Sequence, residues 1–149
     1  MDDLFYFAIE MSKLMKKILL IGTAGLLMVG CVSPATQMID NKFLDAQVTQ
    51  PEATGVWTAA AAGGLSTIKL NQDGTGVMCE DNGHSVNVYQ LRNSGSLIYA
   101  QNGMALKKIT INNQILNVKT TFSAFNADMK YRADNELKLA TPRCAKEIN

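Results

Sequence analysis

The sequence is short of most of the residues from which active sites are built. It has one His, one Trp, three Cys and three Pro in 149 residues, and no block of clustered Lys or Arg. A lone His excludes the His-rich metal sites and leaves an imidazole with no second imidazole beside it. The 14 basic side chains are balanced by 13 acidic ones. No run of like charge therefore marks nucleic acid or an acidic lipid surface as a partner. No GxSxG, HExxH, Gly-rich phosphate loop or repeated acid pair occurs, so no enzyme chemistry, cofactor or metal is expected. The length allows a single domain.

What is present begins near the N-terminus. Lys13, Lys16 and Lys17 precede an apolar run from Ile18 to Val29 that ends in Gly30 and Cys31. A basic stretch followed by an apolar one reads as a secretion signal over residues 1–30, and a dozen apolar residues fall short of the roughly 20 needed to cross a bilayer. Leu27-Met28-Val29-Gly30-Cys31 resembles the lipobox of bacterial lipoproteins. That resemblance implies acylation of Cys31, of the palmitate type, as the first residue after cleavage. Val32, where an Asp would retain such a lipoprotein at the inner membrane, implies the periplasmic face of the outer membrane. More than one acyl chain makes membrane residence stable. The alternative is an ordinary signal peptide that leaves Cys31 free. Residues 1–10 hold three acids and no base, the reverse of a positive leader, which predicts that translation starts at Met11 or Met15.

From Cys31 onward the chain has 119 residues, 11 basic and 10 acidic, enough for one core burying roughly two-thirds of the unfolded surface. With Cys31 taken by lipid, Cys79 and Cys144 remain in an oxidising compartment, where a disulfide is expected. Closing a loop of about 65 residues is worth about 4 kcal/mol in the chain-entropy model. A metal or redox pair lacks CxxC spacing and a second His. Residues 31–54 read as the lipidated Cys and a tether. Its one weakly amphipathic stretch, around Ile39, Phe43 and Leu44, is either a spacer or a short helix plugging one end of the domain.

Residues 55–149 switch to a period of two, the mark of strands with one wet and one buried face. Ile68 and Leu70 alternate with Lys69, Val86 and Val88 with Asn87, and Ile109 and Ile111 with Lys108 and Thr110. Leu116 and Val118 alternate with Asn117, Met129 and Tyr131 with Lys130, and Leu137 and Leu139 with Lys138. Turn signals such as Asp73-Gly74, Asn82-Gly83, Ser94-Gly95 and Asn102-Gly103 recur every 8 to 12 residues. That spacing leaves no room for crossover helices, so the expected fold is all-β, an antiparallel up-and-down meander of about eight strands curled or closed into a small barrel. Asn71, Asp73, Gly74 and Glu80 brush the EF-hand spacing, but Lys69 stands where the first carboxylate belongs and a hairpin turn is the better reading. His84 reads as a solvated turn residue.

Gly55-Val56-Trp57 at the head of the first strand resembles the GxW signature of lipocalins and related calycin barrels. That resemblance implies a Trp packed across the closed end with a late basic residue over it, for which Arg143 is the candidate. Together with Asp73 to Gly76, Cys79 and Cys144, the chain is similar to an uncharacterised family of small γ-proteobacterial lipoproteins, which implies fold and address but no activity. Cys79 to Gly83 followed by Ser85 to Tyr89 resembles the opening of the membrane-bound inhibitors of C-type lysozyme, although their Ser-Gly-Ala-Arg-Tyr loop has no counterpart in Ser123 to Tyr131. The expectation is a non-enzymatic binding module of the cell envelope, anchored by lipid. It binds either a small apolar ligand, with Trp57, Tyr99, Phe122 and Tyr131 lining a cavity, or an envelope protein, including a lysozyme-inhibitor type, through an exposed loop.

Overall fold

The computed structural model describes residues 42–61, 63–122 and 125–149. The signal, the lipobox Cys31, Ile39 and the start-site reading lie outside the described residues. Eight antiparallel strands run in sequence order: β1 (Gly55–Ala61), β2 (Gly64–Leu70), β3 (Thr75–Asp81), β4 (Val86–Ser94), β5 (Leu97–Ala100), β6 (Ala105–Ile111), β7 (Ile115–Phe122) and β8 (Phe125–Ala133). Each pairs with the next, and β8 returns to β1 through Trp57↔Ala133 and Thr58↔Arg132 to close a barrel. The expected all-β meander is the observed fold.

Short polar side chains make the turns. Asp73 accepts the Thr75 N–H at 2.9 Å, Asn82 accepts the Ser85 N–H at 2.7 Å, and Asn112 accepts the Ile115 N–H at 2.8 Å. Each mimics a backbone turn with a side-chain acceptor. Gly74 must be glycine twice over: its φ is +84°, and an added Cβ would run into the Thr49 carbonyl.

The interior is filled by one cluster that runs from Trp57 through Ile68, Met78, Leu91, Leu106 and Leu116 to Tyr131, all at most 2% exposed. Each such side chain, fully buried, contributes roughly 1.5–3 kcal/mol of transfer free energy. Inside it, the Ser66 and Tyr131 hydroxyls are hydrogen-bonded at 2.8 Å, which satisfies two groups that would otherwise be buried without partners.

Three local expectations are corrected. In β4 it is Tyr89, Leu91 and Asn93 that share the inner face, so Val86 and Val88 point outward; Val86 packs against a second cluster outside the barrel. In β6 a bulge between Lys108 and Thr110 breaks the alternation, so Ile111 packs on the core while Ile109 is 56% exposed. Leu137 and Leu139 belong to no strand, because Asp134 captures the chain there: its carboxylate accepts the Leu139 and Ala140 N–H groups and the Thr58 hydroxyl.

After Asp134 the chain crosses the outer side of β1 to β3 and ends in α1 (Pro142–Ile148). Thr141 caps this helix by accepting the Cys144 N–H at 3.1 Å, and Pro142 sits in the first turn, where its missing N–H costs nothing. Val56, Cys79, Cys144 and Ile148 bury one another under it. Cys79 and Cys144 form the expected disulfide, 65 residues apart in sequence. Reducing this bond is expected to lower the unfolding free energy by about 4 kcal/mol. Equal urea midpoints for oxidised and reduced protein would show that the bridge stabilises nothing.

Candidate functional site

Of the four aromatic residues expected to line a cavity, the three whose side chains are described do not share one lining. Trp57 and Tyr131 are 2% and 1% exposed and belong to the filled core. Tyr99 lies between Ile98 and Ala100, which face inward, so its side chain takes the opposite face of β5. The side chain of Phe122 lies outside the described residues. The indole Nε1 of Trp57 is buried with no hydrogen-bond partner among the described residues.

Arg143 does not cover Trp57; it pairs with Asp81. The reason is positional. Cys79 and Asp81 are two residues apart and share the outer face of β3, so the disulfide that holds α1 over Cys79 brings Thr141 and Arg143 over Asp81. The Asp81 carboxylate accepts the Thr141 hydroxyl at 2.6 Å, the Gly83 N–H at 2.8 Å and Arg143 Nε at 3.0 Å, with Arg143 Nη2 on its other oxygen. The Thr141 hydroxyl first, then the Gly83 amide and Arg143, hold its pKa below the usual carboxylate value.

The end of the barrel that holds Asn93 is sealed by residues that precede β1. Thr49 donates its N–H to the Asn93 carbonyl at 2.8 Å, the Asn93 side chain donates back to the Thr49 carbonyl at 2.8 Å, and the Gly95 N–H reaches the Thr49 hydroxyl at 2.8 Å. Lys108, turned inward in β6, donates to the Asn93 side-chain oxygen at 3.1 Å; burial lowers its pKa while Glu52 opposes that shift. Arg92 binds the carbonyls of Phe43 and Leu44 and lies 4.9 Å from the centre of the Phe43 ring. Residues 43–53, the described part of the preceding stretch, lie against this end of the barrel. There the chain forms a turn at 42–45 followed by a segment of no regular secondary structure.

The opposite end carries an inward acid, Glu80, which shares the inner face of β3 with Met78. It borders a pocket of about 200 Å³ with Ala61, Gly64, Leu65 and Asn87, and burial raises its pKa. Tyr131 is raised by burial as well, against the hydrogen bond from Ser66. Among the described residues no group of His, Cys, Asp and Glu could hold a metal ion. His84 is exposed in the β3–β4 turn, its backbone N–H on Asn82. Both described cysteines are oxidised, so neither offers a thiolate.

Sequence reading missed Glu80, Asn93 and Lys108. The signal for Glu80 was present, two residues beyond Met78 on one strand. Lys108 gave none, since only the bulge that follows it reveals which way β6 turns.

A family model described as bacterial lipocalin LPS transport optimiser YedD matches residues 40–148. No curated protein and no solved structure matches.

The Asp81 cluster gives a pH-dependent test. A carboxylate whose folded pKa is lowered contributes stability that is complete above its unfolded value, about 3.9, and is lost as the pH falls through the lowered value. Asp81→Asn is therefore expected to lower Tm at pH 7, with the gap to the native protein closing toward pH of about 2. A gap of constant size across that range would mean that the charge of Asp81 does not hold α1.

Proposed function

We propose that this chain, which belongs to the bacterial lipocalin family described as LPS transport optimiser YedD, is a lipid-anchored envelope protein that assists lipopolysaccharide transport by binding and catalyses nothing itself. The observation that carries this reading is the packed interior. Trp57, Ile68, Met78, Leu91, Leu106 and Tyr131 fill the space that a calyx ligand would take, and Thr49 with Asn93 seals one end. A binding protein built this way works through its outside.

The lipobox supports the address. Cys31 is the attachment site and the periplasmic face of the outer membrane the location, with residues 1–30 removed as the signal. A second reading, carriage of a small molecule, is favoured by the pocket beside Glu80; at about 200 Å³ it suits a ligand of few atoms rather than an acyl chain.

Deleting the gene is expected to slow the arrival of pulse-labelled lipopolysaccharide at the cell surface and to sensitise cells to bulky apolar antibiotics. Cys31→Ala, which removes the anchor, is expected to behave like the deletion. Unchanged arrival in the deletion strain would refute the reading. Inhibition of lysozyme on titration would instead favour the lysozyme-inhibitor type of partner, and a stoichiometric extra mass in native mass spectrometry would favour the carrier.

A further inference from the structure

The outer face of β6, β7 and β8 carries a charge pattern that packing does not require. Lys107, Lys119, Lys130 and Arg132 are all exposed there, on the side of the sheet opposite Leu106, Val118 and Tyr131. The register sets Lys107 directly across from Lys119, Lys119 across from Asp128, Asn117 across from Lys130, and Ile115 across from Arg132. With about 4.8 Å between strands and about 3.4 Å per residue, the four cations form a diagonal band roughly 17 Å long. Asp128 is the acid within it. Like charges directly opposite each other destabilise a ladder, and none of the four cations has an ion pair among the described residues, where the pairs are Lys138 with Glu136 and Arg143 with Asp81.

Beside the band lies an apolar element. The β6 bulge turns Ile109 outward, 56% exposed, at the edge of a groove of about 570 Å³ that it shares with Thr110, Asn117, Lys119, Asp128 and Lys130. On other faces α1 lies over β3, and Arg92 is held by the Phe43 and Leu44 carbonyls. A row of cations next to an exposed aliphatic side chain complements an amphiphile with anionic head and apolar tail.

We propose that this face binds the phosphorylated saccharide head of lipopolysaccharide, with phosphates on Lys107, Lys119, Lys130 and Arg132 and an acyl chain against Ile109. The proposal rests on the transport reading above and adds the ligand and the surface. Three of the four cations are Lys, which serves phosphate well as a point charge but is depleted at protein–protein interfaces. Phosphate bound between Lys107 and Lys119 also removes the repulsion that the register imposes on them.

The test uses the full lipid-anchored chain, purified in neutral detergent, and purified lipopolysaccharide with or without enzymatic removal of its phosphates. Each cation changed to Gln is expected to weaken binding about fivefold, so Lys107→Gln, Lys119→Gln, Lys130→Gln and Arg132→Gln together should cost at least a hundredfold. Lys138→Gln with Lys146→Gln, exposed elsewhere, should cost nothing measurable. Added salt and removal of the phosphates should each weaken the native protein. Undiminished binding by the fourfold variant, or equal binding of the phosphate-free probe, overturns the proposal. So does a variant that keeps lipopolysaccharide but loses a co-purifying envelope protein, which would assign the band to an acidic protein. If the deletion slows lipopolysaccharide arrival and the fourfold variant restores it in full, this site fails and the transport reading stands. If the band binds lipopolysaccharide and the deletion changes nothing, the site stands and the transport reading fails.

Discussion

Closing eight strands into a barrel leaves an interior just wide enough for side chains to fill, and in this protein they fill it. Ile68, Met78, Leu91, Ile98, Leu106 and Leu116 are at most 1% exposed. Interiors packed to this degree tolerate little change of volume, and the described core side chains occupy the space a calyx ligand would take. The choice has a consequence for function. A wide barrel can hold its ligand inside; a filled one has to meet partners with its rims and outer faces.

Buried polar groups then decide how the ends of the chain are held. Asn93 is fully buried and answers Thr49, Lys108 and the Gly74 carbonyl at once. Asp134, 5% exposed, collects the Thr58 hydroxyl and two backbone amides. Asp81, 4% exposed, collects Thr141, Gly83 and Arg143. A buried polar group without partners costs about 1–3 kcal/mol, so satisfied ones specify a single arrangement more than they add stability. These three residues place the segment before β1 across one end of the barrel and the segment after β8 across one side. The disulfide reinforces the second of these placements.

The strand count and the meander were legible because pleat and turn are local: alternation along β7 and the Asx turns between strands can be read within ten residues. The inward face was harder to read. In β4 both faces find apolar cover, the core on one side and the α1 cluster on the other, so Val86 and Val88 looked like core when Leu91 and Asn93 were. In β6 one bulged residue reversed the faces beyond Lys108. The stretch from Asp134 to Leu139 alternates like a strand, but a carboxylate that binds Thr58, 76 residues away, outweighs periodicity there. The pairing of Arg143 with Asp81 was hidden for a similar reason, since it follows from where the disulfide sets α1. Gathering Lys107, Lys119, Lys130 and Arg132 on one face requires the register of three strands, which no sequence window contains.

Near-neutral composition concealed that gathering for a physical reason as well. Net charge counts acids and bases equally, but several acids of this fold are committed to holding it together. Asp73 is bound by the Thr75 hydroxyl and amide, Asp81 by Arg143 and Thr141, and Asp134 by Thr58 and two amides, while Glu80 faces the barrel interior. Lys107, Lys119, Lys130 and Arg132 have no such internal work among the described residues. A carboxylate that accepts several hydrogen bonds close by projects a weaker field into solvent than an extended ammonium does, and salt screens exposed charges beyond about 8 Å. The potential met by a molecule approaching this side of the barrel is thus set by four nearby cations and Asp128, not by the balance of the whole chain. Four cations stand there against one acid, in a protein whose sum is close to zero.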